Sequence, residues 1–415
     1  MTTPCQGSPR DQASGFGRRL VPWICGLAAF IISAKKLIGG GGDIGIYLDA
    51  AREVGDLQLD IYRGRSDTGP WVYPPFATLP FQWLDGLLGD AGARWAWCAG
   101  MGAATVILVR SLVELTDYVG GLRAWQWVVF GVLFQRIIAQ NCSHGQFSLW
   151  VGAFVAVGVL ALVRAQDKRA GLWLGLAAAF KLTPALFLPA LPLMRRSRAG
   201  LVMLVTVLVA VFLSPLPFWG WGEHVRQLQD FFDCQWMIFT APEQAAIVAD
   251  YPGPSVKGTL DYLLQAKETT GIYVNVMDVS DRALFIARLV WSAVLAGVLL
   301  WWFRFAGRHA VARCLIERAS AVTMAMSFFA PLTRTYHLTA ILLPCALFCR
   351  GLNSRRDWLW WLCAVGLLFT LTLRQRNLLG EAAWRFLDLS CALHVELLCM
   401  VAWLIRASWR DLRGR

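Results

Sequence analysis

The chain lacks the signatures of the common soluble enzymes. There is no His-Glu-x-x-His run to hold zinc and no Gly-x-Ser-x-Gly turn to present a serine nucleophile. No Asp-x-Asp pair occurs, which argues against a donor sugar held through a metal-bound nucleotide. The four glycines at 39–42 lack the following Gly-Lys-Ser/Thr of a phosphate loop. The eleven cysteines are scattered, mostly in apolar segments, with no Cys-x-x-Cys pair, so neither a disulfide framework nor a metal site is expected, and no other cofactor is implied. Charge is scarce as well. Only 16% of the residues are charged against 57% hydrophobic, with 21 Trp and 23 Phe, and the mean hydropathy is +0.50. Such values exclude an ordinary soluble domain and define a polytopic membrane protein.

The net charge of +12 invites a nucleic-acid reading, but the basic residues fall in short clusters between apolar segments, so no nucleic-acid partner is expected. Taken as cytoplasmic markers, they give a consistent path. Residues 1–19, with Arg10, Arg18 and Arg19, form a cytoplasmic tail. The apolar stretch that follows has no small-residue cleavage site, so no cleavable signal peptide is expected. A helix at about 20–38 leads to a first outer loop at about 39–92. In that loop, 45–56 reads as an amphipathic surface helix and the proline-broken stretch 73–90 as partly interfacial. Helices follow at about 93–115, 124–140 and 147–164.

The clusters Arg164/Lys168/Arg169 and Arg195/Arg196/Arg198 both belong inside, yet one short apolar stretch separates them. Two half-helices that dip in and return, with Lys181 near the tip, satisfy both. A helix at 199–213 opens a second outer loop, 214–282, and helices at about 283–303, 316–330, 338–350, 357–373 and 386–406 complete the path. The expectation is an all-α fold of about 12 transmembrane or re-entrant helices, in one domain over 20–406, with a cytoplasmic tail at 407–415.

The first outer loop is acidic, carrying Asp43, Asp49, Glu53, Asp56, Asp60 and Asp67. Asp43 opens the run Asp43-Ile-Gly-Ile-Tyr47-Leu-Asp49. A carboxylate held at the membrane surface can take a proton from a hydroxyl of a lipid-anchored substrate; the plain alternative is a helix cap or a solvated loop acid. Asp49 is the competitor, on a different helical face. Lys181 lies within apolar sequence, where a lysine costs roughly 2.5–3.5 kcal/mol at a helix centre and so finds a partner or a wet cavity, unless it snorkels from a helix end. His144 and Gln146 in one outer turn either bind a sugar or order the loop. Arg334 and His337 in another either bind an anion or anchor the interface. Trp71, Tyr73, Trp219 and Trp221 either stack on sugars or belong to an aromatic belt.

In order along the chain, Asp43 with Tyr47 and Ala50-Ala51, Tyr62, Tyr73-Pro74-Pro75, His144-Gly145-Gln146, Ala179-Phe180-Lys181-Leu182-Thr183-Pro184, Ser255-Val-Lys-Gly-Thr-Leu and His337 resemble glycosyltransferase family 87. The resemblance covers roughly residues 20–350 and rests on the order of the motifs rather than on any one of them. It departs at Gly253-Pro254, where the family has Asn-Gln, and at His337, which stands alone where the family pairs histidines.

The resemblance implies the C-type glycosyltransferase fold. It also implies transfer of a sugar, usually mannose, from a polyprenyl phosphate to a lipid-linked or glycan acceptor on the outer face of a bacterial plasma membrane. Asp43 would be the base of an inverting displacement, and Lys181, His337, Arg334, Gln146, His144, Tyr73 and Asp49 would line the substrate site. An arabinosyl- or glucosyltransferase of the same architecture is the alternative sugar chemistry. A flippase for a lipid-linked sugar is the alternative without chemistry, although no internal repeat is present.

Overall fold

The computed structural model describes residues 9–55, 62, 71–240, 253–265, 276–308, 311–330, 333–351, 358–373, 380, 383, 387 and 391–413. Asp56, Asp60 and Asp67 of the acidic loop, Pro331 and the Arg355–Arg356 turn lie outside them. The described residues form helices and no strands. In chain order these are α1 (Pro9–Leu37), α2 (Ile44–Gly55), α3 (Leu79–Asp117), α4 (Ala124–His144), α5 (Ser148–Val163), α6 (Asp167–Phe180), α7 (Phe187–Leu193) and α8 (Ser197–Leu208). They continue with α9 (Leu216–Thr240), α10 (Val256–Leu264), α11 (Asp281–Ala306), α12 (Val311–Phe329), α13 (Leu342–Arg350), α14 (Trp358–Leu367) and α15 (Ala392–Arg413).

The fold is all-α and polytopic, as expected, and its described helices differ in whether they are long and apolar enough to span. Among the described residues, four pass on length and composition: Arg19–Leu37, Pro75–Asp117, Asp281–Ala306 and Ala392–Arg410. The pair Ser197–Leu213 and Leu216–Met237, bent by 87°, makes a fifth if counted as one broken span. Other apolar stretches, such as Ser148–Val163 and Thr183–Leu193, fold as shorter helices. α5 is buried along most of its length, on every face, because Ser148–Val163 carries no charge and no polar stripe to turn outward. It is the central post of the bundle.

α1 packs along α3 through a close crossing: a Cβ on Gly26 would come within 3.0 Å of the Gly102 carbonyl oxygen, and the reverse contact is equal. Small residues at such a crossing let two backbones approach where lipid supplies no hydrophobic drive. α1 begins at Pro9, so Arg18-Arg19 sit within a helix whose candidate span is Arg19–Leu37, and α15 runs on to Arg413.

α3 is broken at Gly89 (φ 67°), which divides the proline-led 79–88 stretch from the long apolar part that follows. The opening of the expected second outer loop is helical instead. α9 starts at Leu216 and bends at Gly220 (φ 73°). Its side chains dock onto the first loop, where Gln235 Nε2 donates to the Val72 carbonyl at 3.0 Å.

Candidate active site

Two tight turns bring Asp43 to the start of α5. The first follows α1, where Gly42 adopts φ +77°; the second follows α4, where Gly145 adopts φ +69° and closes the helix in the left-handed conformation that favours glycine. The Asp43 backbone N–H then donates to the His144 carbonyl at 2.7 Å, fastening one turn to the other. A Cβ on Gly42 would sit 2.6 Å from Leu37 Cδ2 and 2.9 Å from the His144 carbonyl oxygen. Gly42→Ala therefore strains the backbone and pushes on the atom that positions Asp43. We expect it to cost about 1–3 kcal/mol of stability and, beyond that, to depress turnover in protein that still inserts. Thermal melts beside a turnover assay on the monodisperse fraction separate the two effects.

A chain of side chains holds the carboxylate. Gln146 Nε2 donates to Asp43 Oδ2, Tyr73 Oη donates to Gln146 Oε1 at 3.0 Å, and the hydroxyls of Tyr47 and Tyr73 lie 3.4 Å apart. Tyr62 Oη donates to the Tyr73 carbonyl at 3.0 Å. Gln146 is 2% exposed and Tyr73 7%. They are buried supports for Asp43 rather than surface groups. The rings of Tyr47, Trp71, Tyr73, Phe81, Trp97 and Phe147 pack edge-on or tilted against one another beneath it. Trp71 and Tyr73 are thus committed to this cluster, Trp219 is buried as well, and Trp221 is exposed.

Burial in this setting raises the Asp43 carboxyl to about 6, against an opposing pull from the Arg334 guanidinium. A base raised towards neutrality is a better proton acceptor than an ordinary aspartate. The acceptor form is the ionised one, so activity that depends on it falls as the pH drops through about 6. Arg334→Gln removes the opposing charge. The acid limb of the pH profile should then move to higher pH, and a limb that stays in place would separate Arg334 from Asp43.

Arg334 reaches the site from the turn before α13. The backbone N–H of Arg334 donates to His337 Nδ1 at 3.2 Å, which fixes the His337 proton on Nε2. Tyr336 packs its ring against His144 (5.3 Å between centroids) and against His337 (4.6 Å). Its carbonyl accepts from Asn141 Nδ2 at 2.6 Å. His144 therefore contributes its carbonyl to Asp43 and its ring to the Arg334 turn.

Lys181 breaks α6 from α7, in an extended conformation (φ −148°, ψ 129°). Its Nζ donates to Ser148 Oγ at 3.1 Å, and the Ser148 carbonyl accepts from Thr339 Oγ1. Ser148 lies two residues beyond Gln146, so the first turn of α5 joins Asp43 on one side to Lys181 on the other.

The structure does not bring Asp49 into this group. Its carboxylate lies 3.6 Å from Arg52, whose guanidinium also holds Asp85 at 2.7 Å and Asp90 at 3.0 Å, a network that ties α2 to α3. Ser255 is a helix cap, accepting from the Gly258 N–H at 3.1 Å. Sequence reasoning missed Ser148, Thr339 and Asn141, for which a polar residue within apolar sequence was the available signal. Among the described residues no group of His, Cys, Asp and Glu could hold a metal ion.

The fold and the site together define a polytopic membrane protein with a half-buried carboxylate beside the Arg334 guanidinium. The model of glycosyltransferase family 87 matches residues 71–331, well over half of the chain, and the chain belongs to that family. It is a membrane glycosyltransferase, and membership brings the C-type fold expected from the sequence. No curated protein matches it. Among solved structures it is similar to ArnT from Cupriavidus metallidurans bound to undecaprenyl phosphate, at 14% identity and a TM-score of 0.45 over 95% of this chain and 78% of that one.

Proposed function

We propose that the chain moves mannose from a polyprenyl phosphate onto a lipid-linked or glycan acceptor at the outer face of a bacterial plasma membrane, with Asp43 as the base. The observation that carries this reading is the polarity of the site. A proton acceptor raised to about 6 and a set of cationic donors flank one short helical turn, with Gln146 and Ser148 as the links.

The acceptor oxygen bonds to the anomeric carbon as the bond from that carbon to the phosphate oxygen breaks. The hydroxyl proton passes to Asp43, and the electron pair leaves with the polyprenyl phosphate. One such displacement inverts a β-linked donor to an α-linked product. Negative charge grows on the phosphate during the step, so a fixed cation there stabilises the transition state more than the ground state. Lys181 is that cation. Arg334 offers a planar fork and His337 its Nε2–H to the same phosphate.

The resemblance to the family supports mannose, and the departures at Gly253-Pro254 and at the single His337 make the sugar the part to test. Purified protein is given labelled polyprenyl-phosphate mannose, arabinose or glucose together with a membrane lipid extract. Label from mannose should pass to a new lipid or glycan product. A preference for arabinose or glucose would keep the chemistry and change the sugar. Passage of the intact donor across the bilayer without transfer would make the chain a flippase and sink the proposal.

A further inference from the structure

The segment leading into α10 carries Gly253-Pro254, and its packing shows what position 253 requires. A Cβ on Gly253 would lie 1.8 Å from the Thr333 carbonyl oxygen and 2.9 Å from the Thr333 carbonyl carbon. Nothing larger than a hydrogen fits there without a shift. Thr333 directly precedes Arg334, so this segment abuts the turn that carries Arg334 and His337. Thr333 is fastened from its other side, where its Oγ1 donates to the Ser327 carbonyl of α12 at 3.2 Å.

The Gly253 segment is itself held by α10, α11 and α15. His394 of α15 is buried, with Nδ1 2.8 Å from the Pro254 carbonyl oxygen. Its Nε2 accepts from the Trp291 indole N–H of α11 at 3.2 Å. A carbonyl only accepts and an indole N–H only donates, so the imidazole proton sits on Nδ1. Thr259 Oγ1 of α10 donates to the Gly253 carbonyl at 3.3 Å. Asp261, also in α10, accepts from Lys257 Nζ at 2.7 Å and from Arg288 Nε of α11 at 2.6 Å. With α10 and its lead-in tied to two other helices, a displacement at Gly253 passes to the Thr333 carbonyl rather than into α10.

Asp43 feels the placement of this turn through Arg334, whose guanidinium pulls against the burial that raises the carboxyl. We infer that Gly253 and His394 are positioning residues for Arg334. His394 fixes the Pro254 carbonyl, Gly253 admits the Thr333 carbonyl, and together they aim the guanidinium at the Asp43 site. The use of that guanidinium on a donor phosphate rests on the function proposed above; its placement beside Asp43 does not.

The test reads Asp43 ionisation in the substrate-free full chain by infrared titration, with the Asp43 carbonyl band identified by its loss in Asp43→Asn. Arg334→Gln should raise the midpoint by about one pH unit. Gly253→Ala and His394→Phe, which keeps an aromatic ring and loses the Nδ1–H, should each raise it by about half a unit. His394→Asn, whose amide can still donate to Pro254, should restore much of the shift. In an Arg334→Gln background neither substitution should add to the shift, because its route to Asp43 is gone. Thermal melts identify the variants that fold. An unchanged midpoint in whichever of Gly253→Ala and His394→Phe folds would overturn the proposal, and so would full additivity with Arg334→Gln. A midpoint unmoved by Arg334→Gln itself would overturn it too, since no pull would remain to be aimed. Donor KM on the same variants tests the phosphate role separately: a moved midpoint with an unmoved KM keeps the positioning role and removes Arg334 from the donor.

Discussion

Asp43→Asn is expected to lower sugar transfer by about 10²- to 10⁴-fold, the range a positioned general base contributes, without loss of fold. The amide keeps the size of the carboxyl and its oxygen can still accept from Gln146, but it cannot take the acceptor's proton. The same variant should melt at a higher temperature near pH 7.5. The folded-state carboxyl is raised from 3.8 to about 6, so the folded protein holds that proton more tightly than the unfolded chain does. Its contribution to stability is therefore greatest at low pH and declines as the pH rises from about 4 to about 6. Above that window, ionised Asp43 is a cost on the order of 1–3 kcal/mol, which Asn removes. Lost turnover with a raised melting temperature is the mark of a strained functional group. Asp49→Asn is the control. It disturbs only an ion pair with Arg52 that is partly open to solvent, and such pairs are worth about 1 kcal/mol or less, so transfer should change little.

Lys181→Met should produce the second large loss, about 10²- to 10³-fold in turnover, comparable to removing one preorganised donor from a developing charge. The acceptor KM should hold, because the cation faces the leaving group and not the hydroxyl. Lys181→Arg retains the charge but trades a compact ammonium for a planar fork, and should recover part of the rate. Insertion should survive in Lys181→Met, since a neutral side chain in apolar surroundings is less costly than an ammonium, and in Lys181→Arg, which carries the same charge as the native lysine. Wild-type turnover in Lys181→Met would reduce the residue to a lysine that merely bonds Ser148.

Asp43, Gln146 and Lys181 could be read from the sequence because each interrupts a hydrophobic pattern at a place where the chain must turn. Their grouping was legible only as the order of motifs, since 103 residues separate Asp43 from Gln146. Ser148 and Thr339 look like ordinary small polar residues in apolar helices, and only their placement against Lys181 distinguishes them. The roles of Tyr73 and Asp49 changed for the same reason. An aromatic beside two prolines reads as a sugar platform until its hydroxyl is found on Gln146, and an acid in an acidic loop reads as a site until Arg52 is found beside it. α9 was hidden because two residues on its buried face, His224 and Gln227, are polar, which dilutes the helical repeat in a stretch already marked by Gly220. The number of spans was the least legible feature, because hydropathy alone does not distinguish a helix that crosses from one that dips in and returns.

The most direct test of Asp43 as the base is the pH dependence of single-turnover transfer, with donor in excess, for the wild type and Asp43→Asn. Wild-type protein should lose activity through an acid limb near pH 6, and Asp43→Asn should be at least about 10²-fold slower with that limb gone. An acid limb that persists unchanged in Asp43→Asn, or a variant as fast as the wild type, would contradict the assignment and place the base elsewhere.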